Sequence, residues 1–199
     1  MGVTPLQFEQ MRKRLSGAKQ ARREPAKESS RPPIRHETIL GVDPSLRGTG
    51  FGIIRFEKPR VRAVAFDTIS CPASWPRSRC LVKIVATLRQ AIAEHRPTLC
   101  IIEGLFFAQN LQTALVMGEA RGACLATIAE AGLPIYEIAP RKVKLAIVGY
   151  GAAQKIAVAK MVQRMLNLAE LPAADAADAL ALALCHLQDS KGFAAPTEI

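Results

Sequence analysis

Long apolar runs are missing from this chain of 199 residues. None approaches the ~20 residues that a membrane-spanning helix needs, so no membrane partner is expected. Aromatic side chains make up only 5% of the sequence, which leaves aliphatic residues and alanine to build a core. Cysteine occurs five times (Cys71, Cys80, Cys100, Cys124, Cys185), an odd and scattered set without a C-x-x-C pair. The three histidines, His36, His95 and His186, complete no zinc spacing. Reduced thiols of a cytoplasmic protein are therefore expected. No apolar signal core follows Met1. Acidic charge is in deficit: 27 Lys and Arg face 17 Asp and Glu, for a net charge of +10. That balance favours a polyanionic partner, and nucleic acid ranks ahead of a lipid surface here.

Residues 1–37 differ from the rest, with nine Lys and Arg, four Glu, and Pro25, Pro32 and Pro33. A short helix is expected over Pro5–Lys19 and a linker over Gln20–Glu37, together a basic flexible extension. An organellar presequence is the other reading, weakened by the four glutamates because transit peptides are poor in acids. Beyond it the patterning predicts strands at Thr38–Val42, Thr49–Phe56 and Val61–Ser70. A helix over Arg79–His95 ends at Arg96-Pro97, and a buried strand follows at Thr98–Ile102. A long helix over Asn110–Glu130 and a strand at Ile135–Ile138 come next, then helices over Arg141–Val148, Ala152–Leu168 and Pro172–Gln188. A strand meander followed by α/β alternation predicts an α/β domain over 38–189, a five-stranded mixed sheet flanked by helices, with a tail over 190–199.

Four acids stand where carboxylates are least expected. Asp43 ends the apolar run Ile39-Leu40-Gly41-Val42, and Glu103 ends Leu99-Cys100-Ile101-Ile102. Ligands of open α/β sheets bind beyond the carboxyl ends of the strands. If the two strands are neighbours, both carboxylates aim at one place. Asp175 and Asp178 are three apart on an otherwise apolar helix, which puts them on one face with Cβ atoms roughly 5–6 Å apart. A single acid at a strand end is ordinarily a turn or capping residue, and an Asp in a first helical turn ordinarily complements the dipole. Four together are costly to bury as ions unless a cation compensates. Mg²⁺ prefers such hard oxygen ligands, and two ions about 3.5–4 Å apart can activate a water and steady the leaving oxygen of a phosphodiester.

The pieces Ile39-Leu40-Gly41-Val42-Asp43-Pro44 with Thr49-Gly50-Phe51-Gly52, Ile102-Glu103 with Phe106, and Gly118-Glu119-Ala120-Arg121-Gly122 resemble the RuvC family of Holliday-junction resolvases. So do Val143-Lys144 with Val148-Gly149-Tyr150-Gly151 and Lys155, and Ala174–Ala181. The resemblance covers about Thr38 to His186. It implies a ribonuclease H-like fold and a structure-selective endonuclease that resolves four-way DNA junctions in recombination and repair. It places the catalytic and metal positions on Asp43, Glu103, Asp175 and Asp178, with two Mg²⁺ per site and Mn²⁺ able to substitute. DNA contacts fall on Lys144, Lys155 and the base-stacking Phe106. A homodimer, a branch-migration helicase complex as partner, and a bacterial-type cytoplasmic, nucleoid-associated location are also implied. Asn110–Glu130 is a candidate dimer helix, although its apolar side could equally pack on the sheet.

Three departures stand out. Ser45 replaces a family glycine and is strained if the backbone there needs a positive φ. Gln109 replaces a lysine beside Asn110. Cys71–Arg79, with Pro72 and Pro76, is short and irregular against the family. A catalytically degenerate junction- or nucleic-acid-binding module is the rival of another class, and four intact acids speak against it. An actin-like ATPase reading of Asp43–Gly50 as a phosphate turn needs two related domains and about twice this length. A nuclease acting on RNA stays open, since RNA exposes the same phosphates.

Overall fold

The computed structural model describes residues 36–57, 59–104, 110–189 and 197–199. The expected helix at Pro5–Lys19, the expected linker as far as Arg35, Phe106 and Gln109 lie outside the described residues, while the last two residues of that linker, His36 and Glu37, belong instead to the first strand.

Strands β1 (His36–Asp43), β2 (Gly48–Glu57) and β3 (Arg60–Ser70) form the antiparallel meander. Helix α1 (Arg77–His95), strand β4 (Leu99–Glu103), helix α2 (Leu111–Glu130) and strand β5 (Ile135–Ile138) follow. Helices α3 (Pro140–Val148), α4 (Lys155–Leu166) and α5 (Ala174–Asp189) come next. The mixed sheet has the order β3-β2-β1-β4-β5-β6 among the described residues, with β1, β4 and β5 parallel.

The expected count of five strands is corrected to six. Thr197–Glu198, placed in the tail by the sequence reading, pairs antiparallel with Glu137 and Tyr136 as β6. Two residues carry no readable period, and backbone bonding alone places them; the Ile199 amide also donates to the Ile135 carbonyl at 3.1 Å. Helix ends shift for local reasons. Asn110 is the α2 cap, its side-chain oxygen accepting from the Thr113 amide at 2.8 Å. Asn167, at φ 50°, caps α4 after Leu166, two residues short of the expected Leu168. That helix begins at Lys155 rather than Ala152 because a turn intervenes, with the Ala153 amide on the Tyr150 carbonyl at 3.1 Å.

Strand residues alternate between two cores. Leu40, Val42, Ile53, Cys100 and Ile102 pack with Cys80, Ile84 and Leu88 of α1 and Cys124 and Ile128 of α2. Ile39, Ile54, Leu99 and Ile101 meet Val143, Val158, Val162, Leu180 and Leu182 on the other face. Burial on both faces explains why β1 and β4 read as unbroken apolar runs.

Glycine lets α5 lie directly on the sheet. A Cβ on Gly41 would stand 1.9 Å from the Ala179 carbonyl oxygen, and one on Gly50 would stand 1.9 Å from that of Asp175. The facing side of α5 is equally small, with Ala176, Ala177, Ala179 and Ala183 all buried. Gly50→Ala must therefore push the helix off the sheet. Overpacking of this kind costs about 1–3 kcal/mol, so urea unfolding should show a lower midpoint with little change in slope. A midpoint equal to wild type would mean that the contact yields freely.

Candidate active site

The fold brings distant carboxylates together. Asp43 ends β1 and is 9% exposed. Parallel pairing of Val42 with Ile102 sets Glu103, the last residue of β4, beside it. Both residues share the odd-numbered face with Gly41 and Ile101, which is the face that α5 covers. On α5, Asp178 turns toward the pair with its side chain 18% exposed, while Asp175 sits at the rim with 36%. Gly48 makes room for that rim carboxylate, since a Cβ there would be 2.8 Å from Asp175 Oδ2.

Lys155 heads α4 and reaches across. Its Nζ stands 3.0 Å from Asp178 Oδ2 and 3.5 Å from Asp175 Oδ1. Lys144, half-buried on α3, is near enough for its charge to favour ionised Glu103. Of the residues read from sequence, Asp43, Glu103, Asp178, Lys144 and Lys155 thus gather at one spot, with Asp175 beside them. Phe106 lies outside the described residues.

Burial is the main cause that pushes Asp43 up to about 8, followed by the charge and hydrogen bond of Glu103 and the charge of Asp178, with Lys155 opposing. Burial also raises Glu103; its hydrogen bond with Asp43 and the two lysines pull the other way, and Asp178 adds to the rise. The Asp43–Glu103 pair therefore retains a proton where separate carboxylates would have lost theirs. Burial pulls the Lys155 ammonium down, but the Asp178 hydrogen bond and the surrounding carboxylates outweigh it and hold the group above its ordinary value.

Among the described residues no three His, Cys, Asp or Glu side chains converge tightly enough to hold a metal ion as placed. The donor chemistry nevertheless fits a hard divalent cation. The donors are carboxylate oxygens crowded so that a proton and an ammonium offset their charge, and both oxygens and charge suit Mg²⁺ or Mn²⁺.

Two residues of the site escaped the sequence reading. Arg121, buried on α2, donates through Nη1 to the backbone carbonyl of Glu103 and through Nη2 to the Glu137 carboxylate of β5. The Gly104 amide bonds the Ile138 carbonyl at 2.9 Å, so the peptide that carries Glu103 is held from two sides. A cation on the buried face of an otherwise apolar helix was the available signal, because buried arginine requires an acceptor. Ser45 proves unstrained. Among described non-glycine residues only Arg96 and Asn167 have positive φ, and the Ser45 carbonyl and amide both bond the Thr49 hydroxyl.

Both the sequence and the fold match known proteins. The profile of the family described as "Crossover junction endodeoxyribonuclease RuvC" matches residues 39–186. The chain is 43% identical over 150 residues to the protein of that name from Syntrophomonas wolfei, covering 75% of this chain and 87% of the relative. It is 46% identical over 148 residues to that of Halorhodospira halophila, covering 74% and 88%. Its fold matches T. thermophilus RuvC solved in complex with Holliday junction substrate, at a TM-score of 0.73 and 32% identity over 81% of this chain and 99% of the other. The fold is accordingly ribonuclease H-like.

The proton held near Asp43 makes stability depend on pH. An unfolded aspartate releases its proton at about 3.9, whereas the folded one does so at about 8. Between those values the native state binds more protons than the unfolded one, so stability falls as pH rises. Metal-free protein should unfold at lower urea at pH 8 than at pH 5. Asp43→Asn should flatten that difference, and added Mg²⁺ should restore stability at pH 8. A wild-type difference that persists unchanged in Asp43→Asn would assign it to other groups.

Proposed function

Because the chain belongs to the RuvC family of crossover junction endodeoxyribonucleases, we propose that it resolves four-way DNA junctions in recombination and repair by divalent-metal-dependent phosphodiester hydrolysis. One observation carries this reading: Asp43, Glu103 and Asp178, from two strands and a distant helix, crowd together until one of them keeps a proton. Structural ion pairs do not explain such crowding, since the acids outnumber the cations that touch them.

Asp43, Glu103 and Asp178 would hold the metal, with Asp175 completing the set from the rim. Bound Mg²⁺, two ions per site with Mn²⁺ as substitute, supplies activation of the attacking water and stabilisation of the leaving 3′ oxygen. Lys155 and Lys144 would meet the phosphate and offset the charge that builds in the transition state. Phe106 would stack on an unpaired base at the crossover. The relatives are bacterial, and we place this activity at DNA in the cytoplasm, with a branch-migration helicase as partner. No described helix is long and apolar enough to cross a membrane.

A junction with near two-fold symmetry calls for two sites, so the active form is proposed as a homodimer. The outer face of α2 supports this. Leu111 and Leu115 are 76% and 53% exposed, and Gly118 and Gly122 continue their stripe with open space where a Cβ would stand.

Wild-type protein should nick a synthetic four-way junction only with divalent metal. Asp43→Asn and Glu103→Gln should slow cleavage by roughly 100-fold or more, since even residues that merely support metal ligands cost 10–100-fold. Junction binding should persist, because phosphate contacts supply most affinity. Binding without any metal-dependent nicking by wild type would favour the degenerate-module reading. Gly122→Glu should give a monomer in light scattering with an unchanged unfolding midpoint. A dimer that survives it would move the interface off α2.

A further inference from the structure

We infer that the loop joining β3 to α1, together with the first turns of α1, is a second DNA surface that takes the phosphodiester backbone of a junction arm passing the active site. The inference rests on the junction-cleaving reading and extends it to a surface outside the carboxylate cluster.

Topology places this loop on the correct edge. β3 runs parallel to β1, so Ser70 and Asp43 both finish at the edge where the carboxylates gather. Two inter-strand spacings, about 10 Å, separate the two strand ends, which is a few phosphate steps along one strand of DNA. The Cys71 amide bonds the Arg47 carbonyl at 3.0 Å, which joins this loop to the one that leaves Asp43.

The chemistry is cationic and aromatic. Arg79 lies 3.8 Å over the centroid of the Trp75 ring, and Lys83 Nζ is 5.7 Å from it. Arg47 donates to the carbonyls of Pro72 and of Trp75, the latter at 3.0 Å, and Lys83 donates to the Ser70 carbonyl at 2.7 Å. These bonds fix the loop while leaving the charges uncompensated, because Arg47, Arg79 and Lys83 are ion-paired to none of the described carboxylates. Arg77 alone has one, Glu119, at 3.4 Å.

Local preference runs against this arrangement. The first turn of α1 holds Arg77 and Arg79 and no acid, although the positive end of a helix dipole disfavours cations. Their internal compensation is limited to Glu119 for Arg77 and the Trp75 ring for Arg79, and breaks with a local rule of this kind are expected at functional sites. A polyanion supplies what is missing: the Arg79 guanidinium, stacked on the indole, and the nearby Lys83 ammonium suit phosphate oxygens.

Trp75 is the single tryptophan of the chain, so its emission reports this surface directly. A synthetic four-way junction is titrated into the full-length Asp43→Asn protein while binding is followed separately by mobility shift. The emission of Trp75 should change and saturate in step with the shifted complex. Changing Arg79→Gln and Lys83→Gln together should lower the slope of log K against log salt by about 1.8 and weaken binding roughly 30-fold at 0.15 M salt, at 0.9 per phosphate contact. Shifted complex with unchanged emission, or an unchanged salt slope in the double variant, would overturn this surface and leave junction cleavage standing. Absence of any shifted complex would overturn both.

Discussion

Direct contact between the backbone of α5 and the β1–β2 pair is the constraint on which the rest depends. Gly41 and Gly50 leave no side chain between helix and sheet, and the alanines of α5 leave none in return. A helix seated on ordinary side chains would stand several ångströms higher. At that height Asp178 would no longer reach the ends of β1 and β4. The small residues thus convert a packing choice into chemistry, because they set how near one carboxylate comes to two others.

Nearness of like charges then dictates what surrounds them. Lys155 reaches in from the head of α4, Lys144 approaches from α3, and Asp43 keeps its proton. Arg121 works on a different part, holding the carbonyl of Glu103 and the carboxylate of Glu137 rather than any acid of the cluster. The site is therefore assembled in two ways. Strand pairing and the arginine fix where Glu103 stands, and the glycine contact fixes where Asp178 stands.

Much of this was legible in the sequence, for identifiable reasons. Strands buried on both faces announce themselves as apolar runs, so Asp43 and Glu103 stood out as abrupt ends. Asp175 and Asp178 were visible because α5 has almost no other polar residue. Gly50 and Gly52 interrupt the β2 run, and α5 approaches both of them there. The edge strand β6 was not legible, since two residues held by backbone bonds carry no side-chain pattern. The Arg121–Glu137 pair was hidden for another reason. Arg121 on an apolar helix face signals that it needs an acceptor, but only the packing of α2 beside β5 makes Glu137 that partner. Ser45 shows the converse, a departure that suggested strain and turned out to be accommodated by Thr49.

The order of these elements along the chain has a bearing on safety. Asp43 and Glu103 leave the ribosome well before Asp178, which follows Glu103 by 75 residues. Synthesis proceeds at about 5–20 residues per second, so a growing chain spends several seconds carrying an incomplete set of acids. A junction-cutting enzyme thus has no assembled carboxylate cluster while it is being made, and gains one only once α5 has docked on the sheet.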